Sequence, residues 1–106
     1  MKFSLLYVTH ENEEEARKIV NILLSERLIA CANIFPIQSV YYWDWDIADT
    51  PEVVTLLKTS HDRVDATEKR ILSLHPYKIP CIMQVSYDVV SNLAYAQWIH
   101  DETHTS

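Results

Sequence analysis

Five histidines and two cysteines are the side chains of this chain best suited to chemistry, because an imidazole nitrogen or a thiolate sulfur donates a lone pair to copper or zinc. The histidines are dispersed as His10, His61, His75, His100 and His104, and the cysteines stand at Cys31 and Cys81. Neither cysteine belongs to a Cys-x-x-Cys pair, and each lies among aliphatic residues, the setting of a small buried hydrophobe. His100 and His104 stand four apart beside Asp101 and Glu102. On a continuing helix that spacing puts two imidazoles on one face, a geometry for weak divalent-metal binding, whereas a solvated, fraying tail is the simpler reading. His75 precedes a proline at the expected end of a helix, where its role is to place a cationic or hydrogen-bonding side chain beside the last helical carbonyls. Lys58, His75 and Tyr77 are expected to border a cleft at a subunit boundary, because Pro76 and Pro80 pin the intervening loop. Interface hydrogen bonding is the alternative role of Lys58 and Tyr77. No Ser-His-Asp or Cys-His arrangement is recognisable, so the chain reads as non-catalytic.

Composition narrows the partners. The formal charge of −6, from nine Lys plus Arg against fifteen Asp plus Glu, argues against affinity built on neutralising phosphates, and so against nucleic acid. No apolar run is long enough to span a bilayer, and the opening segment turns polar too early for a secretory signal. The chain is therefore read as cytoplasmic and complete, with both thiols reduced. Glycine is absent altogether, which excludes every Gly-rich phosphate cradle and the Gly-containing nucleophile elbow. Turns must rest on the prolines and on Asn and Asp.

The elements that must position these side chains follow from periodicity. Phe3 to Thr9 is a short apolar, β-branched and aromatic run, a buried strand. Asn12 with Glu15 three residues on is a capping signal, and Ala16, Ile19, Val20, Leu23 and Leu24 recur at helical spacing up to about Arg27. Ala30 to Trp43 reads as a long strand with a bend or bulge at Pro36. Glu52 to Thr59 reads as its hairpin partner across a linker from Asp44 to Pro51. Asp62 is the expected cap of a second helix carrying Val64, Thr67, Ile71 and Leu74 on one side and ending at Pro76. Cys81 to Tyr87 is a fourth strand. Ser91 is the expected cap of a last helix through Trp98 and Ile99, fading into a polar tail from Asp101. The order predicts an α+β class, a ferredoxin-like βαββαβ sandwich with an added C-terminal helix, forming a single domain over residues 1–106.

The run Val40-Tyr41-Tyr42-Trp43-Asp44-Trp45 sharpens this picture. Alternation along a strand puts Tyr41, Trp43 and Trp45 on one face and Tyr42 on the other. A chain of 106 residues has difficulty burying both faces of so aromatic a hairpin, which favours a subunit interface over a ligand platform.

Three separated segments then carry a family resemblance: Ser25 to Asn33, which reads Ser-Glu-Arg-Leu-Ile-Ala-Cys-Ala-Asn and runs on to Val40-Tyr41-Tyr42-Trp43; His75-Pro76-Tyr77-Lys78-Ile79-Pro80; and Asn92-Leu93-Ala94-Tyr95-Ala96-Gln97-Trp98-Ile99. In this order and at these separations the chain resembles, over nearly its whole length, the CutA family of small proteins named for divalent-cation tolerance. The resemblance implies the same ferredoxin-like architecture and a homotrimer whose long hairpins extend neighbouring sheets, with Tyr41, Trp43 and Trp45 in the trimer interface. It implies a role in divalent-cation, specifically copper, tolerance or response, with a divalent cation such as copper as the one cofactor to consider. Copper-binding members use a cysteine near the end of the first strand and adjacent histidines before the Pro-Tyr pair. Those positions are here Val8, Leu74 and His75, so only His75 can ligate. Where members carry Trp-Glu-Gly-Lys this chain has Trp43-Asp44-Trp45-Asp46, and Cys81 stands where a glutamate is frequent, removing a carboxylate from the cleft. The alternative function is a trimeric small-ligand-binding signalling module, similar to nitrogen-regulatory proteins of related architecture. A phosphate-handling enzyme like the acylphosphatases fits least, because their glycine-bearing loop has no counterpart.

Overall fold

The computed structural model describes residues 2–87 and 92–105. Its elements are β1 (Phe3–His10), α1 (Glu13–Ser25), β2 (Cys31–Trp43), β3 (Asp46–Ser60), α2 (Val64–Leu74), β4 (Ile82–Tyr87) and α3 (Leu93–Thr103), with a 3₁₀ turn at His61–Arg63. The strands form one sheet in the order β2-β3-β1-β4, every neighbouring pair antiparallel. This is the α+β, ferredoxin-like arrangement that the order of elements predicts.

Alternation along β1 decides which face is the core. Ser4, Leu6, Val8 and His10 are buried while Phe3, Leu5, Tyr7 and Thr9 are only half-buried. Leu6, Val8 and Leu57 meet Ile19, Val20 and Leu23 of α1 and Val64 and Ile71 of α2 in one cluster, so both helices cover this face. The third helix reaches the opposite side of β3, where Lys58 Nζ donates to the Tyr95 hydroxyl at 3.2 Å and the Ser60 and Thr103 hydroxyls are 2.6 Å apart.

Local chemistry explains the ends of the elements. Asn12 Oδ1 accepts the Glu15 N–H at 2.9 Å, and Glu13, Glu14 and Glu15 sit at the positive end of α1. The helix closes at Ser25 in a Schellman pattern, Leu28 N–H to Leu23 O and Arg27 N–H to Leu24 O, with Arg27 at φ 59° where glycine is usual. Pro76 stops α2 as predicted, leaving His75 extended.

Four expectations are corrected. The linker from Asp44 to Pro51 is not a loop: β3 begins at Asp46, and only Asp44 and Trp45 separate the strands. Both have positive φ, 51° and 68°, as a two-residue I′-type hairpin demands. Trp45 thus sits in the turn and is not on the strand face with Tyr41 and Trp43. Pro36 makes no bulge, because pairing runs without slippage from Cys31↔Lys58 to Trp43↔Asp46. As an edge strand, β2 tolerates a residue without an N–H. Asp62 does not cap α2; Arg63 precedes the helix with no side-chain cap, and the Asp62 carboxylate instead accepts from His104 Nε2 at 2.9 Å. Finally, α3 continues to Thr103, which is buried, so residues 101–103 are docked helix. Asn92 Oδ1 caps it through the Tyr95 N–H at 3.1 Å, whereas Ser91 lies outside the described residues.

Candidate functional site

The last residue of β1 begins the site. Two-residue alternation from Leu6 and Val8 carries His10 inward, where it is 1% exposed. Its Nε2 lies 2.8 Å from the Thr55 hydroxyl on the adjacent strand, and its Nδ1 is buried without a hydrogen-bond partner among the described residues. Burial, and secondarily the charge of His75, pull its pKa down to about 4, against the opposing pull of Glu52 and Glu15. At neutral pH this ring is uncharged.

His75 stacks on His10, with ring centroids 5.2 Å apart and planes inclined by 20°. Termination of α2 at Pro76 aims its imidazole back at the sheet. The Tyr77 N–H donates to Nδ1 at 3.1 Å, which leaves the proton on Nε2, and Nε2 donates to the Thr9 carbonyl at 2.8 Å. Both nitrogens are thereby committed to backbone groups. Tyr77, whose ring centroid lies 4.6 Å from that of His75, donates its hydroxyl to Glu52 Oε2 at 2.9 Å. Burial first, then the hydrogen bond and charge of Glu52, then the charges of Glu11 and Tyr41, raise the Tyr77 phenol above its ordinary range. The chain β1 end, His75, Tyr77 and Glu52 fastens the loop after α2 to the base of the hairpin.

Two cavities flank this strap. One, of about 670 Å³, is lined by Glu11, Asn12, Tyr41, Thr50, Pro51, Glu52 and Tyr77. The other, of about 710 Å³, is lined in part by Thr9, Tyr41, Trp43, Glu52, Tyr77, Lys78 and Cys81. Beyond them the ribbon projects with its aromatic side chains uncovered: Tyr42 is 64%, Trp43 71% and Trp45 88% exposed.

The structure brings only some of the predicted site residues together. Tyr77, Tyr41, Trp43 and Cys81 converge. Lys58 does not: it bonds Tyr95 and lies 5.4 Å from that ring's centroid, six residues along β3 from Glu52, roughly 20 Å at strand rise. Within one chain Lys58 and Tyr77 therefore border different regions. A copper site on Val8, Leu74 and His75 does not fit, since the first two have no donor atom and His75 would have to surrender a hydrogen bond. Among the described residues no cluster of three or more His, Cys, Asp or Glu is placed to hold a metal. His100 and His104 do stack at 4.0 Å, but His104 Nδ1 meets the His100 carbonyl at 2.7 Å and its Nε2 meets Asp62. Both partners are acceptors, so the His104 ring in this geometry carries both protons.

Sequence reasoning named His10 without giving it a role and missed Glu11, Glu52 and Thr55. The signal for His10 was present, one alternation beyond Val8. The carboxylates are assembled by pairing between distant strands and left no local pattern.

Comparison with known proteins agrees with this architecture. A family model described as CutA1 divalent ion tolerance protein matches residues 4–102. The divalent-cation tolerance protein CutA of Pyrococcus horikoshii is 40% identical over 99 residues, covering 93% of this chain and 96% of that protein. Among solved structures, the divalent ion tolerance protein CutA1 of Ehrlichia chaffeensis superposes with a TM-score of 0.92 at 42% identity, covering 95% of this chain and 94% of that one. A protein described as the periplasmic divalent cation tolerance protein CutA of Archaeoglobus fulgidus gives a TM-score of 0.91 at 28% identity, covering 96% and 99% of the two chains.

Proposed function

The chain belongs to the CutA1 divalent ion tolerance family, and from that premise we propose that it acts in divalent-cation tolerance as a non-catalytic homotrimer of the cytoplasm. The observation that carries the assembly is the uncovered hairpin. Val40, Tyr42 and Ile47 point to one side of the ribbon and Tyr41 and Trp43 to the other, all exposed, with Trp45 at the tip. A two-stranded ribbon apolar on both sides is marginal in water, and a second copy of the same chain supplies the covering surface. Sedimentation equilibrium is expected to give three times the chain mass at micromolar concentration, and a monomer there would refute the assembly.

Two free cysteines support the cytoplasmic assignment, and no helix among the described residues is long and apolar enough to cross a membrane. For copper, the proposal is weak binding at His100 and His104 at the C-terminal end of α3, in competition with Asp62. Calorimetric titration should find no tight site. A tight one lost in His75→Ala but kept when His100 and His104 are replaced would overturn that view.

A second reading, a module binding a small ligand at the subunit boundary, is favoured by one observation. The two cavities share Tyr41, Glu52 and Tyr77, and the His75 strap holds one wall in place.

A further inference from the structure

We propose that the cavity of about 670 Å³ at the base of the hairpin binds an organic cation, an alkylated ammonium group held against Tyr41 and Tyr77 with Glu11 and Glu52 as its counter-charges. This deepens the small-ligand reading of the same cleft, and it rests on four features of the lining. Glu11 and Glu52 are its two ionisable acids, and among the described residues neither is ion-paired with a lysine or arginine. Glu52 spends one carboxylate oxygen on the Tyr77 hydroxyl, which fixes the group and leaves the second oxygen for a ligand. Tyr41 and Tyr77 line the cavity beside these charges, and aromatic rings combined with carboxylates select a large, weakly hydrated cation over a small, strongly hydrated one. The sense of the local field is registered on the protein's own groups: Glu52 and Glu11 both make it harder for Tyr77 to become an anion.

The competing chemistries fit less well. An anion would meet two carboxylates, and the N-terminus of α1 that borders the cavity has its partial positive charge offset by Glu13, Glu14 and Glu15 and its Asn12 side chain already spent as a cap. A dehydrated divalent ion needs more oxygen ligands than two glutamates supply. The neighbouring cavity of about 710 Å³ is set apart by Lys78 in its lining, so the cation belongs to the first. Tyr41 also stands in the proposed interface, which puts the ligand at the subunit boundary.

Isothermal titration of the intact protein with choline, and with its neutral isostere 3,3-dimethyl-1-butanol, tests the assignment. Choline should bind saturably, the alcohol about tenfold or more weaker, and sodium acetate not at all. Glu11→Gln and Glu52→Gln should each weaken choline binding roughly tenfold. An amide oxygen can still accept from Tyr77, so circular dichroism should show both variants folded; a poorly folded Glu52→Gln leaves the exposed Glu11→Gln as the deciding variant. Equal affinity for choline and the alcohol, undiminished binding in Glu11→Gln, displacement by magnesium chloride at matched ionic strength, or no saturable binding at tens of millimolar would each overturn the proposal. Sedimentation of the same sample separates the two claims. A trimer that ignores choline removes the cation site alone, and a monomer that binds it removes the trimer alone.

Discussion

A buried imidazole whose pKa is pulled down makes an acid-labile joint. The His10 pKa falls from 6.5 unfolded to about 4 in the fold, so between those values the unfolded chain binds the extra proton. Stability tied to this group is therefore complete above about pH 6.5 and declines as the pH falls towards about 4, with a total on the order of 3 kcal/mol. His10→Gln keeps a hydrogen-bonding group for Thr55 but cannot titrate. Urea unfolding at fixed protein concentration should show wild type losing about 2 kcal/mol more than His10→Gln between pH 7 and pH 4.5. Equal losses would show that His10 is not the joint. His104 shifts the other way, since the Asp62 carboxylate and the His100 carbonyl both favour its charged form, and the same pairing lowers Asp62. That contact is complete below the ordinary histidine range, is lost as the pH rises through the raised His104 value, and also fades in acid as Asp62 protonates. Two-dimensional NMR should find His104 titrating above the ordinary histidine value, and Asp62→Asn should bring it back down. Because the pair is exposed, His104→Ala should leave assembly unchanged.

At the scale of elements, a chain without glycine has placed Arg27, Asp44 and Trp45 at positive φ. A non-glycine residue there costs about 1 kcal/mol, most for a bulky side chain. At the end of α1 the strain serves only to close the helix, apart from an exposed Arg27–Glu102 ion pair of 2.7 Å. Arg27→Gly should accordingly leave stability unchanged or raise it by up to about 1 kcal/mol. At the hairpin tip the same relief is available to Trp45→Gly, yet the proposed interface needs the indole. Trimer dissociation should therefore begin at a higher protein concentration in Trp45→Gly, read by sedimentation velocity on serial dilution. A variant that is more stable and dissociates as wild type does would exclude Trp45 from the interface. The elements legible in advance were those with a local cause: β1 and α1 from periodicity and capping, and the end of α2 from Pro76. The first half of β3 was not legible, because Asp46, Asp49, Thr50 and Pro51 form a strand only by pairing with β2. At Pro51 the strand has passed the last β1 partner, His10↔Val53, so a proline on that free side disrupts no ladder.

For the molecule as a whole, the extended shape of 47 × 26 × 20 Å reflects a ribbon carried past the helices that cover the rest of the sheet. Burying Trp43 against another copy would make assembly and stability one quantity. Truncating a buried tryptophan costs on the order of 3–5 kcal/mol. Trp43→Ala should therefore lose the trimer on dilution before it unfolds, and its melting temperature should become concentration-dependent. If that variant remains a trimer on dilution with the wild-type melting temperature, the ring is exposed and the hairpin becomes a ligand platform.

The sequence by itself carried the family through the resemblance of three motif segments, and it determined the α+β class, the order of elements and the aromatic hairpin because each is written in local spacing: alternation on strands, helical periodicity, a cap or a proline at an end. Only the tertiary structure decided that His10 lies beneath His75, that Glu52 receives Tyr77, that Lys58 belongs with Tyr95, and that Thr103 is docked helix. Each of these joins residues far apart along the chain. Strand register and helix packing bring them within hydrogen-bonding reach, and contacts made that way depend on long-range geometry that no short window of sequence encodes.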